Sequence, residues 1–166
     1  MTSEELKALQ APVKSRYKED PKSAAHTLRA AGALGPDGFI CTVKTFAGPV
    51  ASGLHPAAGG DGQSACSGDM LLEALAACAG VTLCAVATAM SIPLRGGTVS
   101  AEGDLDFRGT LGVSKEVPVG FTAIRLRFDL ATDATPEQLA SLQKLTERYC
   151  VVAQSLKVPP KITVSR

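Results

Sequence analysis

The stretch at positions 66–90 limits what this chain can fold into more than any other part of the sequence. It predicts one long helix, with Ser67 as the N-cap because a serine oxygen accepts from a free backbone N–H in the first turn. Pro93 predicts where the helix stops. No charged residue lies between positions 74 and 94. A helix that is apolar on every face must be covered on every face, so we expect the remaining chain to wrap around it.

Two other interpretations of this stretch remain open. It is long enough to span a bilayer. However, alanine dominates it, hydroxyl and thiol side chains interrupt it, and no Lys/Arg-rich flank adjoins it, so membrane insertion would be weak. We therefore expect no membrane association. The second interpretation is a core helix whose cysteines serve only as small hydrophobic side chains.

The composition argues against several classes of protein. A chain of 166 residues is expected to form one domain. A net charge of +1, no basic block and no Trp argue against nucleic-acid binding. Five widely spaced cysteines, without a CxxC motif or a Cys/His cluster, predict neither a disulfide framework nor a zinc site. The N-terminus lacks the pattern of a signal peptide, so we expect a cytoplasmic protein.

The first residues predict an arm that precedes the domain. Positions 4–18 show a short amphipathic pattern, broken by Pro12, that predicts a surface helix or arm. We therefore divide the chain into an N-terminal arm at 1–20 and a single domain at 21–166, separated by a turn signal.

The next segment predicts a hairpin and a long loop. Positions 24–33 and 39–46 are expected to pair as strands around the turn signal at 35–38. Positions 47–66 are rich in glycine and proline, so we expect a loop without regular structure. A loop of this length in a compact domain is often functional, although its His55 is expected to hydrogen-bond locally.

Two segments after the long helix predict an antiparallel pair of strands. Positions 98–107 and 121–130 each alternate apolar and polar side chains, as half-buried strands do. The polar face of the first is acidic and that of the second carries Arg125 and Arg127. Opposite charges across a ladder favour pairing, so we interpret both arginines as exposed pairing residues.

The last part of the chain predicts a second helix and a final strand. Thr135 is a good N-cap, Pro136 suits the first helical position, and Gln138 can complete a capping box. A leucine stripe follows at helical spacing, and positions 162–164 predict a short strand. Strands and helices that do not alternate one by one indicate an α+β fold.

Two cysteines differ from the other three by their context. Cys78 lies in the middle of the apolar helix, and Cys150 lies at the end of the second helix. A thiol in apolar surroundings is normally inert, because desolvation disfavours its thiolate. To be a nucleophile, such a thiol needs a nearby cation that a carboxylate holds in place.

The segment Ser67-Gly-Asp-Met-Leu-Leu-Glu-Ala-Leu-Ala-Ala-Cys78-Ala-Gly-Val-Thr-Leu resembles the central-helix signature of the OsmC/Ohr family, the osmotically induced and organic-hydroperoxide-resistance proteins. Tyr149-Cys150-Val-Val resembles the segment around the second family cysteine. The order of strands and helices also matches, over roughly positions 24–165. The resemblance implies an α+β fold in which antiparallel sheets wrap a long central buried helix, in an intertwined homodimer.

The resemblance also implies an activity. Most members of the family are thiol peroxidases, antioxidant oxidoreductases of the stress response. Cys78 would attack the O–O bond of a hydroperoxide and become a sulfenic acid, and Cys150 would resolve it as a redox-active disulfide. A cellular dithiol, which is a lipoylated protein in part of the family, would reduce the pair. Asp69 corresponds to the family's acidic residue, and Arg29 is the best match for its arginine partner. No bound cofactor is implied.

The sequence departs from the family pattern at three positions. Asp69 replaces the usual Glu, so its carboxylate reaches one methylene less far. Ser67 stands where a proline often precedes that acid, and Val151 stands where a proline often follows the second cysteine. The means of activating the thiolate therefore stays open, with Arg16 and Arg148 as alternatives to Arg29.

The remaining cysteines are expected to have structural roles. Cys84 is six positions past Cys78, about 240° around a helix, so we expect it to face elsewhere and, like Cys41, to be a core residue. Cys66 is expected near the helix start and exposed. The alternative to an enzyme is a dimeric binding protein for a small apolar or thiol-reactive compound, which would not need Cys150.

The central helix by itself predicts a homodimer. One chain offers a second helix with a single leucine stripe, two hairpins and few aromatic side chains. These elements cannot cover every face of the helix, and the apolar patch left over would exceed what a soluble monomer tolerates. A second copy related by two-fold symmetry would cover it.

Overall fold

The computed structural model describes residues 1–36 and 38–166, and within them it contains five α-helices and seven strands. In chain order they are α1 (Ser3–Glu19), β1 (Gly32–Leu34), β2 (Cys41–Thr45), β3 (Gly48–Gly53), β4 (Ala65–Cys66), α2 (Ser67–Ala89), β5 (Gly97–Asp104), α3 (Phe107–Thr110), β6 (Ala123–Leu130), α4 (Pro136–Tyr149), α5 (Val151–Ser155) and β7 (Lys161–Ser165). Short 3₁₀ turns lie at Pro21–Ala24 and Pro56–Ala58.

The expected α+β fold is confirmed, and its strands form two sheets. One sheet has the order β1-β2-β3-β4 and the other has the order β5-β6-β7. The sheets are mixed rather than wholly antiparallel, because β4 runs parallel to β3 and β7 runs parallel to β6. A parallel neighbour requires a crossover connection instead of a tight turn. The crossover from β6 to β7 contains α4 and α5.

The predicted central helix is confirmed as α2. Its N-cap is Cys66 rather than the expected Ser67, and no side chain caps the helix start. The helix ends at Ala89, shortly before Ser91 takes a left-handed conformation with φ 56°. By length and composition alone α2 could cross a membrane, since its mean hydropathy reaches 2.0. In this fold, however, α2 packs against other elements of the chain.

The core of the fold lies along one face of α2. Residues at a spacing of four on this face are buried: Leu75, Ala79, Leu83 and Ala87. Helices α4 and α5 and strand β5 pack against α2, and the inward side chains of β6, at positions 124, 126, 128 and 130, are buried as predicted. The opposite face is uncovered, so Val81 is 72% exposed. One chain therefore covers α2 only in part.

Three cysteines that were expected to be structural occupy different environments. Cys84 lies on the uncovered face of α2 and is exposed, so the expectation that it is a core residue is wrong. Cys41 is half-buried in β2. Cys66 is half-buried rather than exposed, because it is itself the helix N-cap.

The predicted hairpin is present, but its first strand is short, since β1 contains only Gly32–Leu34. Asp37, in the predicted turn, lies outside the described residues. The prediction of a loop without regular structure at 47–66 is wrong, because β3 and β4 lie there. Proline is tolerated in β3 because Pro49 pairs only with Lys44 on β2, whereas β4 joins the other side of β3 at Ser52 and Gly53.

The predicted antiparallel pair is confirmed as β5 and β6. Arg125 lies opposite Glu102 and forms ion pairs with the carboxylates of Glu102 and Asp104 at 3.2 and 2.6 Å. Arg127 pairs instead with Asp129 on its own strand. These side chains are exposed, and exposed ion pairs contribute little to stability individually. The pairs of Arg125 with Glu102 and Asp104 are consistent with the observed register.

Two element boundaries differ from the sequence pattern. Helix α1 is a surface helix without a buried residue, as predicted, but it continues through Pro12. Strand β5 ends at Asp104, before the predicted end at 107, because the Asp106 carboxylate accepts from the Arg108 N–H at 3.0 Å and caps α3.

Candidate functional site

Cys150 connects two helices at the core of the molecule. Helix α4 begins with the predicted capping box between Thr135 and Gln138 and ends at Tyr149. Cys150 then leaves the helical conformation, with φ −74° and ψ 106°, and becomes the N-cap of α5. Its Sγ accepts from the Ala153 N–H at 3.5 Å. The side chain is completely buried, so the connection between the helices fixes the thiol inside the protein.

The fold places the thiols of Cys78 and Cys150 close enough together that each shifts the pKa of the other. Both cysteines are free. Cys78 is half-buried, because it lies next to the buried row of α2 and close to the uncovered face, whereas Cys150 is inaccessible. A small molecule that arrives from solvent would therefore meet Cys78 first.

Hydrogen bonds make the Cys78 thiol more acidic than an ordinary cysteine. Burial raises the pKa of Cys78, but the backbone N–H groups of Val152 and Val151 and the side chains of Cys150 and Thr82 together lower it below its usual value. The single hydroxyl hydrogen of Thr82 donates to the Cys78 carbonyl at 2.8 Å, so it reaches the sulfur only by turning away from that carbonyl. Among the described residues, no charged side chain contributes to this shift.

Cys150 has the opposite character. Burial raises the pKa of the Cys150 thiol, the N–H of Ala153 lowers it in part, and the nearby Cys78 raises it again. The two thiols are therefore unequal, because Cys78 ionises more readily and is accessible, while Cys150 stays protonated and buried. This is the arrangement of an attacking thiol with a second thiol in reserve.

The two charged residues predicted for the site lie away from Cys78 within one chain. Asp69 is exposed in the first turn of α2, nine residues and about 13 Å along the helix axis from Cys78. It lines a shallow cavity of about 240 Å³ with Leu72, Glu73, Ala76 and Ala101. Arg29 is exposed, and its guanidinium donates to the Thr27 carbonyl at 3.5 Å. Neither residue forms a salt bridge within the described part of the chain.

His55 has the local role that the sequence predicts. Its Nδ1 accepts from the Ala57 N–H at 3.0 Å, and its ring stacks on Phe107 with centroids 5.0 Å apart. The described ranges, 1–36 and 38–166, contain no group of three or more His, Cys, Asp or Glu residues that could hold a metal ion.

Three groups that act on Cys78 were missed by the sequence reasoning: Thr82, Val151 and Val152. Thr82 carried a usable signal, because residues four apart on a helix are neighbours. Val151 carried another, since it stands where the family pattern often has proline, and a valine supplies the backbone N–H that proline lacks. The Val152 amide had no distinguishing signal.

Comparison with known proteins identifies the family. Residues 60–165 match the family model of the OsmC-like proteins. The OsmC-like protein from Mycoplasma pneumoniae has a similar structure, with a TM-score of 0.67 and 15% identity over 85% of this chain and 99% of that chain. No match was found among curated proteins. Because the family model matches more than half of the sequence, this chain belongs to the OsmC-like family.

Two further solved structures share the fold. An organic hydroperoxide resistance protein from Elizabethkingia anophelis has a TM-score of 0.66 and 19% identity, over 86% of this chain and 97% of that chain. An organic hydroperoxide resistance protein OsmC from Legionella pneumophila has a TM-score of 0.63 and 18% identity, over 84% and 96% of the two chains. At these identities the likeness concerns the fold.

Proposed function

We propose that this protein is a thiol-dependent peroxidase that reduces hydroperoxides, organic ones in particular. The observation that carries the proposal is the proximity of the thiols of Cys78 and Cys150, which shift each other's pKa and differ in acidity and in access to solvent. Membership of the OsmC-like family supports it, as does the fold shared with proteins named for organic hydroperoxide resistance.

The proposed reaction has two steps inside the protein. The Cys78 thiolate attacks one oxygen of the hydroperoxide, the O–O bond breaks, and the departing alkoxide takes up a proton to leave as an alcohol. Cys78 is then a sulfenic acid. The Cys150 thiolate attacks the Cys78 sulfur, a disulfide forms, and the hydroxide leaves as water after protonation. An external dithiol, such as a lipoylated protein, reduces the disulfide by thiol exchange.

In this proposal the enzyme is a cytoplasmic homodimer that needs no bound cofactor. Arg29 and Asp69 add charge to the site from the second subunit, because Asp69 of the same chain is too far along α2 to reach Cys78. The uncovered apolar face of α2 would lie in the subunit interface. The hydrogen-bond donors within each chain would lower the pKa of Cys78 independently of that charge.

Peptide mapping tests the function directly. Reduced protein treated with one equivalent of an organic hydroperoxide is expected to contain a Cys78–Cys150 disulfide within each chain, and one equivalent of alcohol should appear. Added dithiol should restore both thiols. If the hydroperoxide is consumed while both thiols stay free, another site performs the reaction. If the protein binds the hydroperoxide without consuming it, the binding-protein alternative is correct.

The acidity of Cys78 gives a second prediction. In Thr82→Val the side-chain donor is lost, so the pKa of Cys78 should rise and thiol alkylation should require a higher pH, whereas Thr82→Ser should keep the wild-type profile. Arg29→Ala should raise the pKa as well if Arg29 acts from the second subunit. The measurement is the rate of iodoacetamide alkylation of Cys78 against pH, followed by mass spectrometry.

The two variants separate the sources of acidity. Arg16→Ala is measured beside Arg29→Ala, because Arg16, an exposed arginine on the surface helix α1, is one of the alternatives to Arg29 and the comparison decides between them. A profile that moves in Arg29→Ala alone would assign the acidity to charge rather than to local donors. A profile unchanged in Thr82→Val would contradict the role given to that hydroxyl.

A further inference from the structure

Thr146 carries an unpaired hydroxyl in the core. The residue is completely buried, and its Oγ1 is the only buried side-chain N or O atom without a hydrogen-bond partner in the residues that the structure describes. A threonine inside a helix commonly bonds to the carbonyl four residues earlier. An unpaired buried hydroxyl lowers stability, and natural proteins contain few of them. Its presence at this position therefore needs an explanation.

The position of Thr146 connects it to the dithiol. Leu142, Thr146 and Cys150 follow one another at a spacing of four and are all completely buried, so they form one row along α4. The row ends at the thiol whose pKa is raised by Cys78 on α2. The Cys150 N–H donates to the Thr146 carbonyl at 3.0 Å, which holds the two residues one turn apart.

Cys150 has only a long hydrogen bond and a shared donor for the charged form that it must adopt. To close the disulfide, Cys150 has to attack as a thiolate, and its burial opposes that charge. The Ala153 N–H lies at 3.5 Å from its sulfur, and the Val152 N–H acts on Cys78 as well as on Cys150. Cys78 is the only titratable group that acts on Cys150 within residues 1–36 and 38–166.

We infer that the Thr146 hydroxyl is held in reserve as a hydrogen-bond donor to the Cys150 thiolate when the disulfide forms. A change of side-chain rotamer redirects the hydroxyl without moving the helix backbone. Thr146 does not touch the peroxide, so it is a positioning residue that acts through Cys150. The inference rests on the proposed function for its biological setting, but the step itself, attack of Cys150 on the Cys78 sulfur, can be observed without a peroxide.

Ellman's reagent isolates that step. In a protein with Cys41, Cys66 and Cys84 changed to serine, the reagent forms a mixed disulfide on Cys78 and releases one nitrothiobenzoate. The Cys150 thiolate then attacks the Cys78 sulfur, the disulfide forms, and the second nitrothiobenzoate leaves with the electron pair. Rapid mixing at 412 nm follows both releases. In Thr146→Val the second release should be at least about tenfold slower, as expected for the loss of a hydrogen bond to a charged group.

The pH profile and two control variants distinguish this role from a structural one. Thr146→Val should move the profile of the second release to higher pH and leave the first release unchanged, while Thr146→Ser should restore both. The melting temperature of Thr146→Val should equal or exceed that of the parent protein, because an unpaired hydroxyl is replaced by a methyl group of the same shape. Thr132→Val removes a buried hydroxyl that donates to the Pro93 carbonyl at 2.8 Å, so it should lower the melting temperature and leave the second release unchanged.

Three results would overturn the inference: a second release at the parent rate in Thr146→Val, an equal slowing in Thr132→Val, or a parent protein that releases only one equivalent. The proposed function is judged separately, by hydroperoxide consumption in the wild-type protein. If the second release depends on Thr146 while hydroperoxide leaves both thiols free, the inference stands and the peroxidase function fails.

Discussion

The Cys78→Ser protein is expected to reduce hydroperoxide no faster than buffer containing dithiol alone. A serine hydroxyl stays protonated at neutral pH, is a poor nucleophile towards the O–O bond, and cannot form a disulfide with Cys150. The effect is therefore a complete loss of catalysis rather than a partial one. Consumption of cumene hydroperoxide with dithiothreitol as the reductant measures it, and thermal unfolding establishes that the variant is folded.

Cys84→Ser is the matched control for this loss. Cys84 lies on the same helix and is more exposed than Cys78, so it would be the more reactive thiol if exposure alone decided activity. We expect this variant to keep the wild-type rate, because the two thiols that shift each other's pKa are Cys78 and Cys150. An active Cys78→Ser protein, or an inactive Cys84→Ser protein, would move the site away from Cys78.

A charge on the uncovered face of α2 is expected to break the proposed homodimer. Val81 is 72% exposed in one chain and lies at the middle of an apolar helix face. We expect two copies to bury that face in an interface of about 2,000 Å² or more. Val81→Glu would then place an unpaired carboxylate in apolar surroundings, which costs free energy. Size exclusion with light scattering should show two chains for the wild type, and one chain or an insoluble product for the variant.

Val113→Glu controls for the added charge. Val113 has almost the same exposure, 71%, but it lies in the connection after α3 and not on α2. We expect this variant to keep the mass of two chains. A wild-type protein of one-chain mass at micromolar concentration would contradict the homodimer, and it would leave the apolar face of α2 without an explanation from self-association.

Helices α2 and α4 could be predicted because their signals are local, whereas the short helices α3 and α5 were not predicted. An uncharged run defines α2, and the capping box at Thr135 defines the start of α4. The pairing of β5 with β6 was also readable, since opposite charges mark the two solvent faces. Strands β3 and β4 could not be predicted from residues such as Gly48 and Pro49. Strand β3 pairs with β2 across a tight turn at Thr45 and Gly48, and β4 pairs with β3 at Ser52 and Gly53. These pairings rest on backbone hydrogen bonds, which local composition does not reveal.

The two thiols of the proposed site were candidates in the sequence, but their electrostatics could not be predicted from it. Cys78 was distinguished by its place in the middle of the apolar helix, and both Cys78 and Cys150 were distinguished by their resemblance to the family's two cysteine segments. The donors that lower the pKa of Cys78 are largely backbone amides, at Val151 and Val152. Every residue except proline has such an amide, so only the packing of α5 against α2 decides which amides meet the sulfur.

The parallel arrangement of β6 and β7 has a kinetic consequence. The chain that connects these neighbouring strands contains Cys150, and its helices α4 and α5 pack against α2, which holds the thiol in the core. Conversion between dithiol and disulfide is then a rearrangement of side chains within a fixed frame, and such motions are fast compared with loop opening or local unfolding. The rate of turnover in the proposed reaction would therefore be limited by bond formation and by binding of the reductant, and not by an opening of the protein.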